Sequence, residues 1–350
     1  MTAAAGPRFP GDRSGVAILG CGGIARTAHL PAYTKYGVGV AGVWSRSGTP
    51  DVREEFPVVE RVYSSAEELL SDPAVRIVDI ATPPEGRLRW IEAAVEAGKH
   101  VLAQKPLTLS TADLDRLPEV LARAESAGLR VAVNQNGRWA PPWRQATLQL
   151  RERSIGELVG VTHLHDKPLP PLVGTAFDDV PHMLLTDYLM HWIDITRCWL
   201  AESGARVTTV RATDSRSPGQ PDASRNPWSA TVDLTADTGA TATIRIPGHA
   251  TASEPGCPFW IHGTAGTLRG SVLLDSDRLD LDRGDGARPL PLGGAWFVDG
   301  FAGAMGELMS AVAEGREPEN SAADAALSVR VVLAGVASAE AGGAPVEVLA

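Results

Sequence analysis

The feature that most constrains the fold is a short apolar run that ends in a glycine-rich turn. The run is Gly15-Val-Ala-Ile-Leu-Gly20, and the turn continues as Gly20-Cys-Gly-Gly-Ile-Ala25, which fits the spacing G-x-G-x-x-A. An amphipathic stretch follows to about Tyr36. A strand, a tight turn and a helix in this order are typical of the first unit of a dinucleotide-binding sheet.

The small residues of this turn each have a physical task in that interpretation. Gly20 permits the tight turn, Gly22 lets the backbone approach a pyrophosphate, and Ala25 lets the helix pack closely on the strand. The helix N-terminus then presents its N–H groups to the phosphates. The alternative is a turn with only a structural role. The predicted cofactor contacts in this turn are Gly20, Gly22, Gly23, Ile24 and Ala25.

The first part of the chain alternates short apolar runs with helical patterns. This alternation predicts an α/β fold with a parallel, doubly wound sheet of the Rossmann type. Further strands are predicted at Val38–Trp44, Arg76–Ala81, His100–Pro106 and Leu129–Val133. Helices are predicted from Ser65, from Arg89 to Gly98 and from Asp113 to Ala127.

The second part of the chain follows a different pattern. Short strands separated by Gly, Asp and Pro turns run from Val207 to Leu281, which predicts a large, mostly antiparallel open sheet in an α+β domain. Helices are predicted around this sheet at Trp143–Arg153, Met183–Ile195, Phe301–Gly315 and Ser321–Gly342. The predicted organisation is a flexible tail at 1–14, a dinucleotide-binding domain at 15–137, and a substrate and oligomerisation domain at 138–350. The last helices can pack back on the first domain.

Composition excludes several classes of partner. The chain has 32 Lys and Arg against 42 Asp and Glu, a net charge of −10. Nucleic acids and anionic membranes favour a basic face, so we expect neither as a partner. Three widely spaced cysteines give no disulfide framework, and no signal peptide or uninterrupted apolar run of 18 residues is present, so we expect a cytoplasmic protein without a membrane span. The spacing of His163, His165, His182 and His191 matches no compact zinc pattern, so no metal is expected.

The end of the second strand bears on the choice of cofactor. A carboxylate there would accept hydrogen bonds from the adenosine ribose, but this chain has Ser45-Arg46. A hydroxyl and a guanidinium suit a 2′-phosphate, which favours NADP(H) slightly over NAD(H). The alternative is a solvent-exposed arginine in a turn.

Polar residues follow three other predicted strands at the edge where open α/β sheets bind ligands. They are Thr82-Pro83-Pro84, then Gln104-Lys105-Pro106, then the run Asn134 to Trp139. An apolar strand needs no lysine at its end, so Lys105 is a candidate for chemistry. The amides, Arg138 and Trp139 suit a polyhydroxylated ligand, although a polar hinge between domains would have the same composition. The Pro-rich loop 166–181 is predicted to form part of a pocket wall.

These motifs together resemble those of the Gfo/Idh/MocA oxidoreductases, the family of glucose–fructose oxidoreductase and inositol dehydrogenase. The resemblance rests on the order of GCGGIA, TPP, EAAVEAGKHV and a Lys-Pro pair after a short strand. It covers nearly all of residues 15–349 and implies a Rossmann domain followed by a domain with a large open sheet. The family pattern normally reads Glu-Lys-Pro, where this chain has Gln104, and often has a histidine where Arg87 stands.

The resemblance also implies a catalytic set. Asp187 and His191 are four residues apart in a helical pattern, and spacing alone favours an ordinary helix salt bridge over a catalytic pair. The resemblance pairs them with Lys105, leaves Asp194 a structural role, and places Arg138 beside the site. The implied substrate contacts are Lys105, Arg138, Trp139, His165, Asp187 and His191. Further cofactor contacts are expected at Ser45, Arg46, Thr82, Pro83, Gln104, Lys105 and Asn134.

The function that the resemblance implies is hydride transfer between a nicotinamide and a secondary alcohol or ketone of a sugar, sugar derivative or cyclitol. His191 would be the general base, and Asp187 would orient it or bind a neighbouring hydroxyl. Lys105 would either stabilise charge on the reacting oxygen or relay a proton. A homodimer or homotetramer through the second sheet is expected. Two alternatives stay open: a glycosidase that retains NAD and oxidises its substrate transiently, and a non-catalytic NAD(P)-binding sensor.

Overall fold

The structure is a computed structural model that describes residues 6–49, 51–170 and 172–349. Contacts between residues divide these into two compact units. We call residues 6–139 with 295–326 the N-terminal unit, and residues 140–294 with those from 327 onward the C-terminal unit. The predicted boundaries at 14 and 137 stay predictions.

The N-terminal unit is built on a parallel sheet of five strands in the order β2-β1-β3-β4-β5. The predicted doubly wound parallel sheet is confirmed. Its strands are β1 (Val16–Leu19), β2 (Val40–Trp44), β3 (Ile77–Ile80), β4 (His100–Gln104) and β5 (Val131–Asn134). Its first helices are α1 (Leu30–Tyr36), α2 (Val52–Glu55), α3 (Ala66–Ser71), α4 (Arg87–Glu96) and α5 (Thr111–Ser126).

Local sequence explains these elements. All residues of β1, β3 and β5 are buried, as expected for parallel strands covered on both faces. Ser65 Oγ accepts a hydrogen bond from Glu68 N at 3.0 Å and caps α3, and Ser110 Oγ caps α5 in the same way. The strand order changes direction between β1 and β3, so a ligand crevice is expected outside the carboxyl ends of these two strands.

The C-terminal unit is built on a sheet of nine strands in the order β13-β12-β11-β10-β6-β9-β8-β7-β14. All its strand pairs are antiparallel except β6 with β9, so the predicted large, mostly antiparallel sheet is confirmed. The helices α6 (Pro141–Arg151) and α7 (Met190–Glu202) belong to this unit. The strands are β6 (Leu158–Leu164), β7 (Val207–Ser215), β8 (Ser229–Ala236), β9 (Thr241–Ile246), β10 (Cys257–Gly263), β11 (Gly266–Val272), β12 (Arg278–Asp282), β13 (Ala287–Pro289) and β14 (Val346–Glu347).

The chain returns to the N-terminal unit after this sheet. Helix α8 (Phe301–Glu314) packs Phe301, Met305 and Leu308 into the core that contains Val16 and Ile18 of β1. Of the predicted tail, residues 1–5 lie outside the described residues. Phe9 packs against the same core, and the Arg13 guanidinium donates to Tyr36 O at 2.6 Å.

Helix α9 (Ala322–Glu340) is long and apolar enough to cross a membrane when judged by length and composition only. Half of its apolar window is buried inside the fold, and the core helix of a soluble protein passes the same test. Asp324, Arg330 and Glu340 interrupt its apolar sequence. This helix is therefore weak evidence for a membrane span.

Candidate functional site

The glycine-rich turn after β1 has one position that requires glycine and two that leave space. Gly20 has φ +101°, and a Cβ there would come within 3.0 Å of the backbone of Ala81 and Thr82, just after β3. A Cβ at Gly22 or Gly23 would meet nothing within 4 Å. The turn therefore packs against β3 on one side and leaves its backbone open on the other, which fits the approach of a pyrophosphate.

Beyond this turn the first helix begins in an unusual form. Residues Ala25–His29 make a π-helical turn that runs directly into α1. Wider turns of this kind are rare and occur often at functional sites. The sequence pattern predicted a helix here but not its π-helical start.

Several buried polar atoms at the carboxyl edge of the sheet have no hydrogen-bond partner among the described residues. They are Thr82 Oγ1, Asn134 Oδ1 and both side-chain amide atoms of Gln135. Because buried polar groups are normally bonded, these atoms fit the polar groups of a bound dinucleotide. Thr82 and Asn134 are predicted cofactor residues. Gln135 is not among them, although the run of amides at 134–136 contains it.

Ser45 and Arg46 follow β2 directly. Ser45 Oγ lies 3.3 Å from Ser47 Oγ, and Arg46 is exposed to solvent. Both side chains are polar and reachable, as a 2′-phosphate contact requires. The preference for NADP(H) stays a prediction.

Gln104 closes β4 and bonds in two directions. Its Oε1 accepts a hydrogen bond from Lys105 N at 2.8 Å, and its Nε2 lies 3.3 Å from His29 Nε2. Gln104 is buried, and β4 places Lys105 at the carboxyl edge of the sheet. The residue that replaces the family glutamate therefore holds the backbone of Lys105.

His29 lies at the centre of a buried cluster, which we call the His29 cluster (His29, Tyr33, Asp79, Gln104 and Asn134). Asp79 Oδ2 lies 2.6 Å from His29 Nδ1 and accepts a hydrogen bond from Tyr33 OH at 2.5 Å. Asn134 Nδ2 and Gln104 Nε2 both lie 3.3 Å from His29 Nε2. Two amide donors on Nε2 place the imidazole proton on Nδ1, which donates it to Asp79. Burial and the Asp79 carboxylate raise the pKa of Tyr33, so the phenol keeps its proton and donates.

Arg87 supports the same segment from the other side. Its buried guanidinium donates through Nη1 to Gln104 O at 2.5 Å and to Pro106 O, and through Nη2 to Thr82 O. The carbonyls before and after Lys105 are therefore tied to one planar group, which also reaches the end of β3. This is the contact made by the residue that stands where the family often has histidine.

Asp187 and His191 lie on one continuous segment of the C-terminal unit. Asp187 belongs to a π-helical turn, Leu184–Tyr188, in which Leu189 N donates to Leu184 O at 2.7 Å. His191 follows in the first turn of α7, and both side chains are half-buried. The sequence predicted one regular helix over Met183–Ile195. The structure keeps the two residues together, whereas Lys105 belongs to the N-terminal unit, so the three-residue set stays a prediction.

His165 lies in a second polar group, which we call the Tyr188 cluster (His165, Lys167, Tyr188 and Trp192). The Tyr188 hydroxyl lies 2.7 Å from His165 Nε2 and accepts from Lys167 Nζ at 3.1 Å. The Tyr188 ring stacks on Trp192 at 5.8 Å between centroids. Burial, with a smaller effect of Lys167, lowers the pKa of His165 to about 3, so this imidazole is neutral.

Of the four members of the Tyr188 cluster, only His165 was predicted from the sequence as a site residue. Tyr188 directly follows Asp187, and Lys167 lies in the Pro-rich loop predicted to form a pocket wall. His165 itself is almost fully buried. Its predicted contact with substrate stays a prediction.

Arg138 and Trp139 make contacts inside the N-terminal unit. Arg138 Nη1 donates to Glu319 O at 2.7 Å, and its Nη2 lies 2.7 Å from Asp324 Oδ2. Trp139 packs so closely on α8 that a Cβ on Gly303 would come within 2.3 Å of its ring. Through these contacts Arg138 and Trp139 stabilise the N-terminal unit. Their contact with substrate stays a prediction.

His163 has an apolar environment. It stacks on Trp199 at 5.5 Å between ring centroids and contacts Phe259 and Trp143, and burial lowers its pKa to about 3. Across residues 6–49, 51–170 and 172–349, no group of three or more His, Cys, Asp or Glu side chains is arranged to hold a metal ion. His163 is therefore a neutral core residue of the C-terminal unit.

Two family models match this chain. Residues 14–135 match the oxidoreductase family with an NAD-binding Rossmann fold, and residues 143–269 match the Gfo/Idh/MocA C-terminal domain. The chain belongs to the Gfo/Idh/MocA oxidoreductase family. The resemblance drawn from the motifs is confirmed, and the first match contains the whole glycine-rich turn and Lys105.

The curated proteins that are similar to this chain include characterised and uncharacterised ones. The uncharacterised protein YMR315W of Saccharomyces cerevisiae is 30% identical over 58% of this chain and 60% of its own length. The D-apiose dehydrogenase of Paraburkholderia graminis is 28% identical over 68% and 62%. The inositol 2-dehydrogenase of Mycolicibacterium smegmatis is 30% identical over 48% and 46%. The chain spans between 42% and 62% of the length of the first four curated relatives it matches.

Solved structures share the fold along almost the whole chain. An oxidoreductase domain protein from Kribbella flavida has a TM-score of 0.81 at 21% identity and covers 97% of this chain and 100% of its own. A levoglucosan dehydrogenase in complex with NADH and levoglucosan has a TM-score of 0.79 at 20% identity, covering 96% and 100%. At these identities the likeness shows the fold alone.

Proposed function

We propose that this protein is an NAD(P)-dependent oxidoreductase that acts on a secondary alcohol or ketone of a sugar, sugar derivative or cyclitol. The observation that carries the proposal is the pairing of an open glycine cradle after β1 with a lysine held at the end of β4. Family relatives named for D-apiose and inositol oxidation support this substrate class.

When bound, the nicotinamide would supply the hydride acceptor for oxidation of the carbinol carbon, and the protein would take up the hydroxyl proton as the C–O bond becomes C=O. His191 receives that proton as general base, since an imidazole titrates near neutrality. Asp187 orients His191 or binds a neighbouring hydroxyl. Lys105 donates a hydrogen bond to the reacting oxygen and stabilises its developing negative charge.

The residues around Lys105 position it for this role. Gln104 holds its backbone N–H, and Arg87 holds the carbonyl groups before and after it. The His29 cluster in turn fixes the Gln104 amide, because His29 Nε2 accepts only while Asp79 takes the Nδ1 proton. Where the family has a glutamate, this chain has the Gln104 amide. That amide contacts His29, and His29 in turn contacts the buried Asp79 carboxylate.

Within this proposal NADP(H) is favoured slightly over NAD(H). The exposed Arg46 guanidinium beside Ser45 supports a 2′-phosphate, for which arginine offers a planar set of donors. Melting temperatures measured with NAD(H) and with NADP(H) test this preference. An Arg46→Ala variant should lose the larger stabilisation by NADP(H) and keep that by NAD(H).

The deciding experiment is an absorbance assay for reduced nicotinamide with a panel of sugars and inositols. We expect steady formation of reduced cofactor with at least one of them. Lys105→Met should lower turnover by at least about 1,000-fold, because the reacting oxygen loses its donor. The melting shift with cofactor should persist, because the glycine-rich turn still binds the pyrophosphate. Turnover at the wild-type rate in that variant would falsify the role of Lys105. A cofactor-binding protein that reduces no nicotinamide with any member of the panel would favour the sensor, and cleavage of glycosides without net reduction would favour the glycosidase.

A further inference from the structure

Lys167 is nearly buried, and its ammonium has fewer hydrogen-bond acceptors than N–H groups. Lys167 is 9% exposed, and the described residues supply two acceptors, Tyr188 OH at 3.1 Å and Pro168 O at 3.3 Å. An ammonium carries three N–H groups. One N–H of Lys167 therefore has no acceptor within the part of the chain that the structure describes.

Lys99 of the N-terminal unit provides a comparison. It is 8% exposed, and its ammonium donates to Asp72 O at 2.9 Å and to Val75 O at 2.8 Å. The Asp72 carboxylate is also close enough for the Lys99 charge to lower its pKa. Lys99 also has two acceptors for three N–H groups, but its bonds are shorter than those of Lys167 and a carboxylate lies near its charge, whereas no carboxylate affects the pKa of Lys167.

No anion compensates the charge of Lys167 among the described residues. No carboxylate oxygen lies within ion-pairing distance of its Nζ, and the one acidic group that affects its pKa is the Cys257 thiol. Burial raises the pKa of that thiol to about 12, so the thiol is neutral. Buried charges are normally paired, because moving an ion out of water costs several kcal/mol. The Lys167 ammonium is therefore a buried cation that lacks an anionic partner among the described residues.

The neighbours of Lys167 hold it in place without neutralising it. The Tyr188 hydroxyl is fixed between Lys167 and His165, and the His165 imidazole has a further buried atom, Nδ1, without a partner. Burial keeps both the phenol and the imidazole neutral at pH 7, since it raises the pKa of Tyr188 and lowers that of His165. Tyr188 directly follows Asp187, one of the proposed substrate-binding residues.

We propose that Lys167, held by Tyr188, binds an anionic oxygen of the substrate, either the carboxylate of a sugar acid or the phosphate of a sugar phosphate. This inference rests on the proposed oxidoreductase function and narrows its substrate class to acidic sugars. The anion supplies the missing acceptor and the missing charge in one contact.

Matched substrates test the proposal on the holoenzyme. The panel pairs D-glucose with D-gluconate, D-glucuronate and D-glucose 6-phosphate, so that the carboxylate and the phosphate are separate arms, and it includes myo-inositol as a second neutral polyol. The quantity measured is kcat/KM for each acidic compound divided by that for the neutral ones. We expect wild-type protein to favour one acidic arm, and Lys167→Met to lower that ratio by about 10- to 100-fold, as for a lost hydrogen bond to a charged group.

Three further variants keep the test decisive. Lys167→Arg keeps the charge and should retain more of the ratio than Lys167→Met. Tyr188→Phe keeps the stack on Trp192 but removes the hydroxyl, and should lower the ratio by a smaller factor even if Lys167→Met folds poorly. Lys99→Met removes a lysine of equal burial in the other unit and should leave the ratio unchanged.

The outcomes separate this inference from the function on which it rests. A wild-type preference for neutral sugars, or an unchanged ratio in both Lys167→Met and Tyr188→Phe, would overturn the role of Lys167 alone. If no sugar of either kind yields reduced cofactor, the oxidoreductase proposal fails and this inference fails with it.

Discussion

The His29 cluster and the Tyr188 cluster are both buried, but the hydrogen bonds to their charged members differ in length. In the His29 cluster, Asp79 Oδ2 accepts two hydrogen bonds at 2.5 and 2.6 Å from its own neighbours, while Asp79 Oδ1 has no partner among the described residues. In the Tyr188 cluster, the Lys167 ammonium has only neutral oxygens at 3.1 and 3.3 Å. The first cluster holds Gln104 next to Lys105 through short hydrogen bonds, whereas the second resembles one side of a binding site.

The difference suggests that the two units contribute to function in different ways. A cluster held by short hydrogen bonds fixes geometry, and its members contribute to stability. A cluster with longer bonds around a buried cation contributes less to stability and is retained where a ligand completes it. Substitutions in the His29 cluster should therefore lower the free energy of unfolding more than substitutions in the Tyr188 cluster.

The largest effect is expected for Asp79→Ala. It leaves the His29 N–H and the Tyr33 O–H buried without their acceptor, and removing one partner of a buried pair costs about 3–5 kcal/mol. Urea unfolding followed by circular dichroism measures this loss. Tyr188→Phe is the matched control, with an expected loss of about 1 kcal/mol or less because the ring stack stays. Equal losses in the two variants would contradict the comparison.

Two glycine variants distinguish the side of the glycine-rich turn that packs against β3 from the side that is open. Gly20→Ala should lower the free energy of unfolding by roughly 2 kcal/mol, since φ is +101° and the new Cβ meets the backbone after β3. Gly22→Ala should change that free energy by less than about 0.5 kcal/mol, because its Cβ meets no protein atom. It should nevertheless weaken cofactor binding, measured by calorimetry, by at least about tenfold if a pyrophosphate approaches this backbone. Unchanged affinity in Gly22→Ala would remove the cradle from the cofactor site.

The neutral histidines of the C-terminal unit predict acid sensitivity. The folded-state pKa of His163 and of His165 is lowered to about 3, chiefly by burial, so the unfolded chain binds protons first as the pH falls. Stability is therefore complete above an unfolded pKa of about 6.5 and is lost progressively as the pH falls towards 3. At pH 5.5 each histidine should cost about 1.3 kcal/mol relative to pH 7.

His163→Phe tests the origin of this acid sensitivity. The site is lined by Trp199 and Phe259, so a phenyl ring is chemically compatible with it. The variant should remove about half of the loss between pH 7 and pH 5.5, as followed by denaturant midpoints at each pH. A pH dependence equal to that of the wild type would show that other groups are responsible.

A smaller effect on stability is expected for Gln104→Glu, which restores the family residue. The new carboxylate would replace one of the two amide N–H donors on His29 Nε2. The variant should therefore lose about 1 kcal/mol of stability relative to the wild type, as measured by urea unfolding. Stability equal to that of the wild type would indicate that Gln104 and His29 are not coupled.

The sequence predicted both sheets because their patterns are local. The apolar strands and the glycine turn define the parallel sheet, and alternation along segments such as β8 defines the antiparallel one. Asp187, His191 and Lys105 also stood out, because they break otherwise apolar patterns or match a family motif. The π-helical start before α1 was not predicted, since one extra residue in a turn leaves no mark on helical periodicity.

The His29 cluster could not be predicted for a different reason. Its members come from four separate segments of the chain, and each looks like an ordinary helix or strand residue in its own segment. Lys167 and Tyr188 are similarly 21 residues apart, and a lysine in a loop is usually exposed. Which polar groups meet inside a fold depends on tertiary packing, which a single sequence does not display.

The return of the chain through α8 has a consequence for biosynthesis. Phe301, Met305 and Leu308 complete the apolar core around β1, yet they leave the ribosome about 160 residues after Trp139. At roughly 5–20 residues per second, the nascent first sheet waits on the order of ten to thirty seconds with that surface uncovered. The growing chain is thus exposed to aggregation and to chaperones during nearly half of its translation, and a fragment that stops near residue 139 would keep this exposure permanently.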